Sequence, residues 1–406
     1  MGEDHHIFTS VRYRAAMSSM SRIAVASDRA DAPSARGENA SVRRESASVH
    51  TIVRPAAEAV DALAAEWDAL ALQASEPNAF AEHWFVAASL ATLGKDCAIR
   101  LIEVRRGARL IGLLPVSIEK GYARLPVVHV ENWLHRQSFL GTPLVAAGEE
   151  KAFWEAAVAA LDAADWAPGL LHLRGLNLGG PVQRALSGAV VHREVRAFLE
   201  SDLGPQAYYE RAVRQKKRKE IRRLRNRLAE LGAIDTHILD DASALETWCD
   251  TYLALEKAGW KGRGGSALAC GGETEAFFRS AVRGAWDAGR LQFRRLDVGG
   301  KTIAMLVNFL TPPGSFSFKT VFDEDYARFS PGVLIQLDNL DILDSPGIHW
   351  MDSCAAEDHP MIDSLWTERR TIVRVTVRLK GARRGAVFAL CRALEIGSAR
   401  VRRRAA

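Results

Sequence analysis

Few residues in this chain are marked for chemistry by their sequence neighbours alone. The clearest stretch runs from Arg328 to Gly332. Ser330 reads as a helix N-cap, Pro331 suits the first helical position, and Gly332 lets a ligand approach the backbone. A helix start offers unpaired N–H groups and about half a positive charge, so it can bind phosphate. Arg328 adds a cation, and no acid lies between Tyr326 and Leu337. The plainer alternative is a helix start and nothing more. Lys319 sits mid-strand between Phe318 and Val321. A lysine among aromatics suggests contact with a thiolate or a phosphate, or else an edge lysine that guards the sheet against aggregation. Asp323 ends the same strand and can cap the turn or hold an acceptor. Glu256 stands near a helix C-terminus, where a negative charge is disfavoured, which suggests either a role beyond stability or a solvated helix end. Cys354 has no histidine placed to make it a thiolate and reads as a packed cysteine.

Other chemistries are excluded. The five cysteines are scattered, with no C-x-x-C, which argues against a disulfide framework and a structural zinc. Gly262 to Ala267 fits G-x-G-x-x-A but follows a helix, so it is no dinucleotide loop. Gly300-Lys301-Thr302 resembles a P-loop ending but lies in a hairpin turn. There is no G-x-S-x-G and no H-E-x-x-H.

The elements that must position these residues form two similar series. Residues 1–48 lack apolar periodicity and read as a disordered tail, with Met17 and Met20 as alternative starts. Then come a strand at 50–54, helices at 57–73 and around Trp84, and a hairpin over 98–118. A strand at 137–146, a helix at 149–164, a strand at 170–174, a short helix at 181–187 and a closing strand at 190–199 complete the first unit. The second unit repeats the order: a long helix at 206–231, a strand at 234–239, helices at 242–258 and 273–288, and a hairpin over 291–310. Strands at 315–322, 348–353 and 371–379 follow, with helices at 331–343 and 382–395. The two hairpins overlay at an offset of 192, Gly107 on Gly299 and Arg109 on Lys301, which implies a duplicated domain. The domains are therefore 49–203 and 204–396, followed by a basic tail at 397–406. In the first copy the helix after the strand opens Gly148-Glu149-Glu150, whose acids would repel a pyrophosphate. Any phosphate-bearing cofactor belongs in the second copy.

Net charge is +5, unevenly spread. Residues 211–228 carry a local net of +9 and residues 369–406 a net of +11, leaving −15 for the other 350. The helix at 211–228 is either a surface for a polyanion such as tRNA or a phospholipid membrane, or a solvated face balancing an acidic body. The C-terminal helix sets Val387, Phe388, Leu390, Cys391 and Leu394 against arginines; it packs on the core or rests on anionic lipid. No apolar run approaches a membrane span and no secretory core opens the chain, so a cytoplasmic location is expected, or one peripheral to the inner membrane surface.

Five blocks now suggest a family. Phe316-Ser-Phe-Lys-Thr-Val-Phe-Asp323, Tyr326-Ala-Arg-Phe-Ser-Pro-Gly332, Met351-Asp-Ser-Cys-Ala355, Leu255-Glu-Lys-Ala-Gly-Trp-Lys-Gly262 and Leu365-Trp-Thr-Glu-Arg369 resemble the CelD-like branch of the GNAT acyltransferases. The tandem layout with a basic helix is similar to the Fem-type aminoacyltransferases. The resemblance implies an α/β protein of mixed sheets, two tandem GNAT-like domains, the second binding acetyl-CoA or another acyl-CoA and no metal. It would place the thioester where two parallel strands splay, with pantetheine along Phe318, Lys319 and Thr320 and the pyrophosphate from Arg328 through Ser330 and Pro331 to Gly332. The usual phosphate loop has a second glycine that this chain lacks. It would make Asp352 the general base or an acceptor-orienting group, and border the acceptor with Trp260, Lys261 and Ser353. Glu256, Lys319 and Asp323 complete the catalytic candidates. The expected activity is N- or O-acylation of a small polar or sugar acceptor in cell-surface polysaccharide synthesis. The alternatives are an aminoacyl-tRNA-dependent transferase and a non-catalytic scaffold.

Overall fold

The computed structural model describes residues 47–122 and 125–405, with side chains to Ile396. The expected tail over 1–48 and the two alternative starts lie almost wholly outside the described residues. Thirteen strands form one sheet: β1 (Val49–Pro55), β2 (Arg100–Arg106), β3 (Arg109–Glu119), β4 (His129–Asn132), β5 (Leu144–Val145), β6 (Leu171–Asn177), β7 (Ala189–Glu200), β8 (Ile234–Ile238), β9 (Leu291–Val298), β10 (Lys301–Thr311), β11 (Gly314–Phe322), β12 (Trp350–Asp352) and β13 (Glu368–Val377). The helices used below are α1 (His83–Ala91), α2 (Glu150–Ala163), α3 (Gln215–Ala229), α4 (Leu245–Ala258), α5 (Gly272–Asp287), α6 (Pro331–Asp338) and α7 (Ala382–Ala405).

The sheet order is β1-β2-β3-β4-β6-β13-β7-β12-β11-β10-β9-β8, with β5 beside β3. Read from either edge, it is the same series: a hairpin, an antiparallel neighbour, then a parallel partner. The hairpins turn in register, Arg106 opposite Arg109 and Val298 opposite Lys301, with Gly107 and Gly299 both at positive φ. The expected closing strand, however, is exchanged. β7 does not pair with β6; it lies between β13 and β12, while β13 fills the place beside β6. Each half lends its last strand to the other.

Several element boundaries differ from the sequence reading. Residues 57–73 break into helices at Ala56–Ala59 and Ala64–Ala71. The long helix breaks at Val213, extended and buried against the core, into Pro205–Ala212 and α3. The strand expected over 137–146 is mostly loop; within it only Leu144 and Val145 (β5) pair in the sheet, with a single bridge from Ala146 to Ala74. The helix after Pro331 tightens to 3-10 geometry at Asn339, and α7 runs on to Ala405.

Among the described residues three large apolar clusters pack the sheet, and a small fourth one seats Val387, Phe388 and Cys391 of α7 on Tyr122 and Leu170. One lies within the first half, where α2 buries Phe153, Trp154, Ala157 and Leu161 at helical spacing. A second joins the halves. Phe80, Trp84 and Phe85 of the first half interlock edge-on with Phe277, Phe309 and Phe316 of the second, ring centroids 4.9–6.5 Å apart where they meet. The third lies under α3 and α6 on the opposite face. The shared cluster fixes the halves against each other, so a groove between them has defined walls.

Candidate active site

β11 and β12 are parallel but pair over only three residues, Gly314–Phe316 against Trp350–Asp352. β11 then continues to Phe322 with no strand on that side among the described residues. Such an edge leaves backbone N–H and C=O groups for a bound chain.

Lys319 stands at this edge. Its amine lies 5.3 Å from the Phe318 ring centroid and 5.7 Å from that of Phe139, in the loop after β4. Among the described residues it makes no hydrogen bond or ion pair. Burial pulls its pKa down to about 8, and the charge of Lys261 adds to the effect. A lysine near neutrality in an enclosed site can give or take a proton at physiological pH.

Asp352, expected as a general base or an acceptor-orienting group, sits beside two guanidiniums. Its carboxylate is fully buried. Oδ1 lies 2.7 Å from Arg196 Nε and accepts from Cys354 N–H at 2.9 Å; Oδ2 accepts from Arg196 Nη2 at 2.8 Å and Arg370 Nη1 at 3.0 Å. Burial pushes the carboxyl up, but the two guanidiniums outweigh it and hold the pKa below the usual range. Asp352 is an anchor that sets the bend after β12. Cys354, at φ 54°, follows in that bend, its thiol pushed well up by burial and by Asp352, which leaves it unreactive. Ser353 Oγ accepts from Ala355 N–H at 3.2 Å in the same bend.

Glu256 is likewise a clamp. Its buried carboxylate accepts from Lys261 Nζ and from Leu268 N–H, each at 2.8 Å, and so closes the 259–268 loop onto α4. Lys261 is therefore engaged, whereas Trp260 is 62% exposed at the loop's tip. A small hollow of about 40 Å³ there is bordered by Trp260, Lys261, Thr320 and Phe322. Asp323 takes the capping role: it accepts from Asp325 N–H at 3.0 Å and pairs with Lys301 at 2.8 Å. Phe318 is buried in the shared aromatic cluster, so it shapes the wall and presents no free face. The Thr320 and Ser317 hydroxyls both accept from Gln336 Nε2 at 3.0 Å, which ties β11 to α6.

At the turn into α6, Ser330 adopts left-handed geometry at φ 55°, and its side chain makes no cap bond. Ser330 thus holds the N-cap position without a side-chain bond: the first turn has no acid, the Ser330 carbonyl accepts from Val333 N–H at 2.9 Å and Leu334 N–H at 3.1 Å, Pro331 has no N–H, and only Gly332 N–H is without a backbone partner among the described residues. Gly332 is closely packed: a Cβ there would meet Met361 Sδ at 3.1 Å and Phe322 at 3.4 Å, so the methionine would have to shift by a few tenths of an ångström. Arg328 is exposed, stacked on Phe329, and makes no ion pair among the described residues. The donors at this turn are thus the Arg328 guanidinium and one backbone N–H. Among the described residues, no group of three His, Cys, Asp or Glu is placed to hold a metal.

The sequence reading confined the site to the second half and missed what the first half supplies. The loop after β4 brings Phe139 over Lys319 and His135 beside it. His135 is fully engaged, Nε2 with Ser89 Oγ at 2.9 Å and Nδ1 with Gln137 N–H at 3.2 Å. Burial lowers its pKa to about 4, with Lys319 adding to the effect, so it stays neutral. Arg196 also donates to Phe139 O at 2.7 Å, coupling the loop to Asp352. No local sequence signal marks Arg196 or Arg370, which meet Asp352 only through the exchanged strands.

A sheet with two splayed parallel pairs, each followed by a helix, is the tandem GNAT-like α/β fold. Residues 215–360 match the family described as an acetyltransferase (GNAT) domain. No curated protein matches the chain. Among solved structures it is similar to FemX, at 11% identity and TM-score 0.51, over 77% of this chain and 95% of that one. It is also similar to a tandem GNAT protein from the clavulanic acid biosynthesis pathway, at 18% identity and TM-score 0.42, over 81% and 98% of the two chains.

Proposed function

We propose that this chain is an acyl-CoA-dependent N- or O-acyltransferase, acetyl-CoA being the donor, that acts on a small polar or sugar acceptor in cell-surface polysaccharide synthesis. The CelD-like resemblance of its five blocks supports the acceptor class. The observation that carries the reading is the unpaired Lys319 amine at the open edge of β11, in line with a helix start that holds no acid.

When bound, the donor supplies an activated acyl carbonyl and a thiolate leaving group. Arg328 and the first turn of α6 hold its phosphates, and the free edge of β11 holds its amide-bearing arm. A backbone N–H of that edge stabilises charge on the carbonyl oxygen. Neutral Lys319 takes the proton that the attacking amine or hydroxyl loses. As an ammonium it returns that proton to sulfur, so no proton is gained or lost overall. Trp260 and Lys261 border the acceptor side.

Calorimetry with acetyl-CoA tests the assignment on wild type, Gly332→Glu and Arg328→Glu. Tight binding by wild type and at least tenfold weaker binding by both variants is expected. Equal binding by all three, or none by wild type, overturns it.

One observation favours a second reading. On and beside α3, Arg214, Lys216, Lys219, Arg222, Arg223 and Arg227 are exposed and make no ion pair among the described residues. Such a face suits the polyanion of a Fem-like, aminoacyl-tRNA-dependent transferase. Gel-shift with tRNA at several salt concentrations separates the two readings, since binding that is absent or insensitive to salt removes the second. Among the described residues no helix is long and apolar enough to cross a membrane; a cytoplasmic location, with contact to the inner membrane surface through the same basic face, completes the proposal.

A further inference from the structure

A groove of about 300 Å³ opens between the halves, and no helix contributes to its lining. Its floor is bare sheet: Arg174 of β6, Arg374 of β13, and His192, Glu194 and Arg196 of β7. The loop residues Leu134 to Phe139 form one wall, and Cys354 to Ala356 close one end. An inner sheet face in an α/β protein is ordinarily covered by apolar side chains and helices. Here the exchanged strands present charge instead.

The charges are ordered along the floor. At the closed end Arg196 is consumed by Asp352 and by Phe139 O, next to the Phe139 ring that lies over Lys319. Glu194 comes next along β7, and His192 follows, paired in register with Arg374. At the open end Arg174 is partly engaged, 2.6 Å from Glu131 and donating to Leu134 O at 3.2 Å. Arg374 is exposed and has no ion pair among the described residues, and Glu194 likewise has none. From Arg196 to His192 the floor spans four residues, about 13 Å.

We propose that this groove is the acceptor subsite and that it selects an acceptor carrying an anionic group. The inference rests on the acyltransfer reading above. Arg374, helped by Arg174, binds a phosphate or carboxylate at the open end. Glu194 accepts hydrogen bonds from the polar middle of the molecule. The acceptor's amine or hydroxyl then lies at the Phe139 and Cys354 end, within reach of Lys319. The groove therefore sets both the class of acceptor and which end of it is acylated.

Calorimetry on the full chain with three amines tests this: glucosamine 6-phosphate, glutamate and uncharged glucosamine. At least one anionic amine should bind tenfold or more tightly than glucosamine, and whichever does so assigns phosphate or carboxylate. Arg374→Ala should abolish that margin and Arg374→Lys should recover part of it. Equal binding of the three, no binding of either anionic amine, or a margin that survives Arg374→Ala overturns the proposal. Acetyl-CoA titrated into the same samples keeps the two readings apart. Its failure to bind wild type counts against acyl transfer and leaves the anion result standing, while its unchanged binding to Arg374→Ala shows that the variant is folded.

Discussion

Between β4 and β6, parallel pairing stops after Val130 and Glu131, and the gap beyond is filled. Asn132 donates to Gly141 O at 3.1 Å and Arg174 O at 2.9 Å and accepts from Arg174 N–H at 2.8 Å, while Gly141 N–H bonds to Gly175 O at 2.8 Å. Between β11 and β12 the corresponding gap has, among the described residues, no such side chain and no returning loop of its own half. The helix starts differ in the same way. At α2, Glu149 is held by Arg106 at 2.7 Å and by Arg109 at 2.5 Å, so the first copy carries its own anion there. At α6 the first turn holds no acid. One fold thus yields a sealed copy and an open one, and the difference lies in where the loop after the splayed strand goes. In the first half it folds back over its own gap and extends Phe139 to its neighbour's.

The strongest way to break this contrast is at Lys319. Lys319→Met should lower thiol release from acetyl-CoA by about 10²–10⁴-fold. In wild type the rate should rise as pH passes about 8, and that limb should vanish in the variant. The sign on stability is the same. The folded pKa of about 8 lies below the ordinary 10.5, so the unfolded chain binds more protons between those values and stability rises with pH there. Denaturation at pH 7 and pH 10 should show a smaller rise for Lys319→Met.

Next in size is Asp352→Asn, which strips a buried carboxylate from two arginines and should cost about 3–5 kcal/mol in urea unfolding. A variant that is fully stable but inactive would restore Asp352 as the base. Asn132→Ala should unseal the first gap, leaving buried amide groups unpaired at a cost of about 1–3 kcal/mol; hydrogen exchange should rise at Gly141 and Arg174. Smallest is Ser330→Gly, which relieves a left-handed serine and should stabilise by about 1 kcal/mol, read as a higher Tm.

Much of this was legible. Each hairpin announces itself by alternation and a central glycine, and the offset of 192 is the true structural register. Lys319 stood out because a cation seldom interrupts a run of aromatics. What could not be read was anything that depends on strand exchange. Asp352 looks free in sequence because its partners are 156 residues before and 18 residues after it. Residues 137–146 read as a strand from their apolar residues, but consecutive Phe139 and Leu140 both pack on the aromatic cluster that joins the halves, and only tertiary contacts show that they do so from a loop.

The exchange of β7 and β13 also constrains how the chain can be made. The sheet of the first half has an empty place beside β6 until residues 368–377 exist, and β7 has no permanent neighbour until β12 and β13 arrive. Those residues leave the ribosome about 170 positions later, on the order of 10–30 s at ~5–20 residues per second. Throughout that interval one edge of β6 and both edges of β7 lack their final neighbours. Truncation near residue 203 should give an aggregating fragment, and a chain shortened before Glu368 should lose both halves together.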